Sequence, residues 1–398
     1  MKKRIIFIDD EESILNGLRR SLRHRRDEWD MDFYTRTQDA IDALAINQYN
    51  ALVTDMRMPG IDGAKFLDFV AQNHPSLVRI VLSGQSDLSL SSQLTVNAHQ
   101  YLSKPCKTAD LEHALDKPLR FQAGAKNENL ITIIAGLKSI PTLPTKYIEI
   151  TSALSNGEAS IREIGHIIGE DPAMSAKLMQ MINSAFFGLG RKLTAPEDAA
   201  VYLGMETLRT LVLTVGIFSQ ISKITADISL EKLWEHSNIT GVLAKQILQG
   251  IQAEKSAQER GFLAGLLHDI GILILATNLP DKYQQLLVDA KTENISLYAK
   301  EREVLGATHA EVGAYLMSLW GFSDDIIDAI AYHHEPMNSP DRSISPLTAV
   351  YVANLLAKPY PITEYPCEVA QNDRYLMELD LIGSIPNWKK MAATLSTV

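Results

Sequence analysis

The hydrophobic period of this chain changes near residue 120. Before it, short β-rich runs ("RIIFI", "DFYT", "ALVTD", "RIVLS", "QYLS") alternate with stretches such as "ESILNGLRRSL" and "AKFLDFVAQ", whose apolar residues recur at spacings of three and four. Alternating βα units predict a parallel sheet covered by helices on both faces, a doubly wound α/β domain. From about residue 121 no run of strand character remains. Helical periodicity then dominates to about residue 358, punctuated by Pro141, Pro144, Pro172, Pro196, Pro280 and Pro336, so a second, all-α domain is expected. The junction "KPLRFQAGAKNENL" is polar and reads as a helix tail running into a linker. The expected division is residues 1–120, a linker over 121–135, a helical domain over 136–358, and an extension over 359–398 that reads as a turn followed by short helices packing on the domain.

Composition narrows the function classes. A chain of 398 residues, 46% hydrophobic and 22% charged, is long enough for two or three domains. Its formal charge is −10, and its basic residues are scattered apart from "RRSLRHRR", which reads as the solvated end of a helix. No long positive face is offered, which argues against nucleic acid or an anionic membrane as partner. Cys106 and Cys367 are too few for a disulfide framework and suit a reducing cytosol. "MKKRIIFI" opens like a signal peptide but runs at once into Asp9, Asp10, Glu11 and Glu12. No apolar run is seen to reach the roughly 18 to 20 residues of a spanning helix. The expectation is a soluble, cytoplasmic protein.

The first domain carries its chemistry at strand ends. Asp9 and Asp10 follow the first run, Asp55 ends the third, Ser83 ends the fourth and Lys104 follows the fifth. In a doubly wound sheet these ends lie along one edge, so the five side chains converge on one crevice. Clustered carboxylates repel unless a hard divalent cation such as Mg²⁺ holds them ionised. An aspartate beside such an ion, with a lysine and a hydroxyl nearby, is what phosphoryl transfer to a carboxylate requires. Residues 2–118 resemble the flavodoxin-like receiver domain of a two-component response regulator. The resemblance implies Asp55 as phosphoacceptor. It also implies a Mg²⁺ site of Asp10, Asp55 and the backbone carbonyl of Arg57, with Asp9 acting mostly through water. Ser83 and Lys104 would contact the phosphoryl group, Tyr101 would be an aromatic rotamer switch, and the Lys104–Pro105 peptide would be cis.

The helical region raises a different question with "FLAGLLHDIGILIL", a histidine and an aspartate inside an apolar run. His236, His268, His309, His333 and His334 all sit in helical, apolar contexts. A lone histidine there is ordinarily a hydrogen-bonded core residue, but five on separate segments, with Asp269, could converge as a one- or two-metal centre. Their order resembles the HD superfamily of metal-dependent phosphohydrolases, most closely its HD-GYP branch. The departures count against transferring that activity. Asn354 stands where the hydrolases carry a metal-binding aspartate, Ile272 replaces a lysine common three residues after the HD aspartate, and no DGxGYP loop follows "HHE". A divalent transition metal at this second site remains compatible with the residues.

Upstream, "EDPAMSAKLMQMINSAFFG" and "AVYLGMETLR" resemble the start of an HDOD domain, the HD-related output domain of bacterial signalling proteins, over roughly residues 130–358. Asp171-Pro172 reads as a helix cap and first turn. Met174, Leu178, Met181 and Ile182 share one face that reads as core rather than as a partner surface. The resemblance implies a response regulator phosphorylated by a sensor histidine kinase, whose HDOD module acts by protein–protein interaction in cyclic-dinucleotide or stress signalling. A homodimer is left open. Two other readings compete: a metal-dependent nucleotide phosphohydrolase tolerating Asn354, and a DNA-binding regulator if residues 161–183 formed a helix-turn-helix, although its second helix offers only Lys177 as a base-reaching cation.

Overall fold

A computed structural model describes residues 2–56, 58, 63–83, 97–124, 128–137, 144–155, 160–182, 193, 195–220, 228–357 and 373–396. The chain forms two compact units, Met1–Thr145 with Ser318–Gly321, and Lys146–Met317 with Phe322–Val398.

The first unit runs β1 (Lys3–Ile8), α1 (Glu12–Ser21), β2 (Trp29–Tyr34), α2 (Thr37–Ile46), β3 (Ala51–Asp55), α3 (Gly63–Asn73), β4 (Val78–Ser83), β5 (Gln100–Ser103), α4 (Thr108–Gly124) and α5 (Glu128–Gly136). Its five strands are ordered β2-β1-β3-β4-β5 and every neighbouring pair is parallel. A parallel strand is covered on both faces, so its residues are apolar without alternation. Ile5, Ile6, Phe7 and Ile8 of β1 and Ile80, Val81 and Leu82 of β4 are accordingly all buried. The chain order reverses between β1 and β3, which opens a crevice at their carboxyl ends. The segment expected as linker is helical to Gly124 and again from Glu128.

The second unit is helical: α6 (Thr145–Ser155), α7 (Ile161–Gly169), α8 (Pro172–Ile182), α9 (Pro196–Leu203), α10 (Met205–Gln220), α11 (Leu230–Gly250), α12 (Lys255–Leu267), α13 (Ile270–Asn278), α14 (Pro280–Glu293), α15 (Leu297–Leu305), α16 (His309–Leu319), α17 (Asp324–Tyr332), α18 (Pro346–Leu356), α19 (Arg374–Glu378) and α20 (Ile385–Ser396). Pro196, Pro280 and Pro346 sit in first turns, where a missing N–H costs nothing. Asp171 caps α8, its Oδ1 accepting from the Met174 amide at 3.0 Å. Met174, Leu178 and Ile182 are buried, while the Met181 side chain lies outside the described set. Around the centre, α11, α12, α17 and α18 pack on one another. A Cβ on Gly265 would lie 2.7 Å from the Gly241 Cα, so α11 and α12 cross backbone against backbone. α20 packs on α11 and α18; residues 358–372 lie outside the described set.

One expectation is corrected. Lys255–Asn278, spanning α12 and α13, is long and apolar enough by composition to cross a membrane, and 89% of its apolar window is buried within the protein. Its polar His268-Asp269 step hid the length of the run, and burial on all sides explains its composition.

Candidate functional site

In the first unit, strand register builds the site. Ile8 pairs with Thr54, and Ser83 with Ser103, so Asp9, Asp55 and Lys104 emerge at one sheet edge. Lys104 Nζ lies 2.7 Å from Asp9 Oδ2 and 3.0 Å from Asp55 Oδ1, bridging the two carboxylates. Asp9 Oδ1 also accepts from the Glu11 amide at 3.0 Å, and Asp55 Oδ1 from the Met56 amide at 2.8 Å. Burial raises the Asp9 carboxyl above its ordinary range, with the bond from Lys104 opposing it. Burial alone would lower Lys104, but its bonds to Asp9 and Asp55 carry it above the usual value. The Lys104–Pro105 peptide is cis. Tyr101 is half-buried, and burial raises its hydroxyl. Asp9, Asp10 and Asp55 offer oxygens within 4.8 Å of one another, with Asp10 exposed, a hard-donor set with water access that fits Mg²⁺. Arg57 and the side chain of Ser83 lie outside the described residues. Gly63, which the sequence reading passed over, lets α3 begin against this loop: a Cβ there would lie 2.6 Å from the Met56 carbonyl oxygen and 2.8 Å from that of Asp55.

In the second unit, the five histidines meet around Asp269. Its Oδ2 lies 3.2 Å from His268 Nε2 and 3.7 Å from His236 Nε2. Its Oδ1 lies 3.4 Å from His309 Nε2 and 3.6 Å from His333 Nε2. His334 Nε2 is 2.9 Å from His309 Nε2. Local structure aims the rings. His268 Nδ1 donates to the Gly265 carbonyl and His333 Nδ1 to that of Ile330, each at 2.8 Å, which turns both Nε2 atoms inward. Gly271 permits α16 to start here, since a Cβ would fall 1.9 Å from the His309 carbonyl oxygen. Burial would raise Asp269, but the imidazoles facing it, His268 foremost, hold it well below the usual carboxylate range. Burial and the neighbouring His334 push His333 down to about 3. His309 rises to about 10, because Glu301 and Asp269 outweigh its burial.

Two sets can hold an ion, Asp269 with His309, His333 and His334, and Asp269 with His236 and His268. The Nε2 atoms of His268 and His333 are buried and face only Asp269, at 3.2 and 3.6 Å, without a well-aligned hydrogen bond, and coordination to a cation would satisfy both better. Several imidazoles and one carboxylate suit a first-row transition ion. Asn354 Oδ1 stands 2.9 Å from His236 Nε2 and so engages the nitrogen of the second set. Two contributors escaped the sequence reading. Glu301 is fully buried and its Oε2 accepts from both the backbone N–H and Nδ1 of His309, at 2.8 and 2.6 Å. Tyr283 donates to Glu301 Oε1 at 2.6 Å. In sequence, "AKEREVLG" looks like a solvated helix face, and only its fixed distance before His309 could have drawn attention to Glu301. Lys177 Nζ donates to Ser219 Oγ on α10 at 2.9 Å.

Residues 5–116 match the family model of the response regulator receiver domain, and residues 140–336 that of the HDOD domain. An uncharacterized protein of Treponema pallidum is 26% identical over 261 residues, 66% of this chain and 50% of its own length. YesN of Bacillus subtilis, an uncharacterized transcriptional regulatory protein, is 29% identical over 189 residues, 40% of this chain and 50% of its own. The chain thus spans about half the length of these curated relatives. The crystal structure of an HDOD domain protein of unknown function from Geobacter sulfurreducens superposes with a TM-score of 0.55 at 21% identity, covering 70% of this chain and 98% of that one. At that identity the likeness speaks for the fold alone.

Proposed function

Because this chain joins a response regulator receiver domain to an HDOD domain, we propose that it is a two-component response regulator in which a sensor histidine kinase phosphorylates Asp55 and the helical unit answers by engaging a protein partner. The observation that carries the reading is the bridge of Lys104 Nζ to Asp9 and Asp55, at 2.7 and 3.0 Å. An Asp55 oxygen attacks the phosphorus of a phosphohistidine; the P–O bond forms as the P–N bond breaks, and the imidazole leaves with a proton from solvent. Asp9, Asp10 and Asp55 would hold Mg²⁺, which when bound neutralises phosphoryl oxygen charge. Lys104 then has a phosphoryl oxygen to pair with, and its departure from the Asp55 carboxylate couples the new charge to the surrounding loops. The test supplies a small phosphodonor and Mg²⁺ and reads the intact mass. One phosphoryl group per chain, lost in Asp55→Asn, is expected; wild-type labelling of that variant would remove Asp55.

The output is read as interaction because Asn354 supplies an amide where a hydrolytic centre needs a further anionic ligand, and it already occupies His236 Nε2; a place in cyclic-dinucleotide or stress signalling rests on the likeness to the HDOD family alone. The Nε2 atoms of His268 and His333, turned inward on Asp269 without a well-aligned hydrogen bond, favour a second reading, a metal-dependent phosphohydrolase. Cyclic di-GMP and linear dinucleotides offered with Mn²⁺, Fe²⁺ or Mg²⁺ separate the two. Turnover by wild type that disappears in a folded His268→Ala protein would establish the hydrolase and sink the purely interacting module.

A further inference from the structure

We infer that Glu301, held by Tyr283, is the positioning residue that makes His309 a metal ligand through Nε2. The inference rests on the reading that the Asp269 cluster holds a cation, and it adds the group that decides which nitrogen of His309 serves it.

The geometry determines the roles. Glu301 Oε2 receives the backbone N–H of His309 at 2.8 Å and faces Nδ1 at 2.6 Å, so Nδ1 carries a proton and donates it. Its other oxygen accepts the Tyr283 hydroxyl at 2.6 Å, which leaves the carboxylate little freedom to rotate. All three partners are buried, with Tyr283, Glu301 and His309 at 0% exposure. With Nδ1 committed, Nε2 is the nitrogen left to face the other groups of the set, Asp269 Oδ1 at 3.4 Å and His334 Nε2 at 2.9 Å, and it offers them a lone pair. The two neighbouring imidazoles reach the same state by a different device, since His268 and His333 give their Nδ1 protons to carbonyls three residues earlier in their own helical turns. His309 begins α16 and has no preceding turn to receive its proton. A carboxylate brought from α15 replaces that carbonyl. It also carries a charge, which makes the imidazole a stronger donor toward a cation than a carbonyl would. Of the three inward-turned rings, His309 is therefore the one whose ligand strength a single remote side chain controls. The backbone bond to Oε2 ties ring and α16 terminus to the same anchor, so the ring direction and the start of the helix are set together.

The experiment titrates the metal-free full chain with Zn²⁺ and follows the ring N–H protons of His309 by long-range proton–nitrogen correlation. Wild type is expected to bind Zn²⁺ and to show a low-field, slowly exchanging proton on Nδ1 both before and after loading. Glu301→Gln keeps an acceptor but removes the charge. It should bind Zn²⁺ about 10- to 100-fold more weakly, with the Nδ1 proton moved upfield and exchanging faster. Tyr283→Phe deletes only the hydroxyl; it covers the case in which Glu301→Gln does not fold, and should show the same changes at smaller size. Equal Zn²⁺ affinity in the variants, or a loaded His309 protonated on Nε2, overturns the proposal. Should wild type bind no Zn²⁺, the metal reading falls. The Nδ1 proton then decides the positioning role by itself: sensitivity to Glu301→Gln upholds it and indifference overturns it.

Discussion

Asn354 Oδ1 and His236 Nε2 lie 2.9 Å apart between α18 and α11, both buried. Whichever way the amide is turned, that imidazole nitrogen is engaged. Asn354→Asp replaces a neutral amide by a carboxylate at the same spot. Transition-metal affinity should rise by about tenfold or more, read by equilibrium dialysis, and any dinucleotide hydrolysis should appear first in this variant. An unchanged affinity would show that the amide is not what limits the site.

Lys104 pairs with two carboxylates at once, and its single charge offsets half of theirs. Lys104→Ala should still accept a phosphoryl group at Asp55 but lose the response of the helical unit. In Mg²⁺-free buffer it should be less stable by about 2 kcal/mol, the order expected for losing hydrogen bonds between charged groups, and added Mg²⁺ should restore most of the loss. Denaturant titration with and without Mg²⁺ decides; equal loss in both buffers would mean that Lys104 and the ion do not serve the same charges.

Gly271 meets the His309 carbonyl oxygen so closely that an added Cβ would fall 1.9 Å from it. Backbone cannot swing aside as a long side chain can, so Gly271→Ala should cost about 3 kcal/mol and weaken metal binding, since α16 must retreat from Asp269. A melting temperature equal to wild type would refute the close packing of α13 on α16.

Asp328 is raised to about 6, first by burial and then by Asp324, Asp341 and Asp325. Its unfolded value lies near 3.8, so between these limits the folded state binds more protons and its stability falls as pH rises. Asp328→Asn removes that penalty. The variant should melt higher than wild type near neutral pH, the advantage shrinking as pH falls below about 6 and vanishing below about 3.8. A constant advantage across this window would assign the gain to something other than the charge.

The receiver half was legible because its signals are local. Strands buried on both faces must be apolar without alternation, as Ile5 to Ile8 are, and residues that follow such strands share one edge whatever the loops do. Asp9, Asp55 and Lys104 could therefore be grouped before any distance was known. The helical half was legible only in part. The histidines and Asp269 declare themselves as polar interruptions of apolar helices. The same interruption concealed that residues 255–278 form one long buried run.

Local sequence is enough to say where the two periodicities lie, which acids and which lysine share the sheet edge, and which histidines lie along the interior of the second unit. Tertiary structure alone decided what those histidines do there. Glu301 sits among Lys300, Arg302 and Glu303, a context that reads as solvated. It is buried because Tyr283 of α14 and His309 of α16 close over it. Asn354 and His236 are 118 residues apart, yet in hydrogen-bond contact. Helical period states which face of each helix turns inward, but a hydrogen bond needs two faces to agree to within a fraction of an ångström. Close approaches such as Gly241 on Gly265 and Gly271 on His309 set that agreement, and no single helix encodes it.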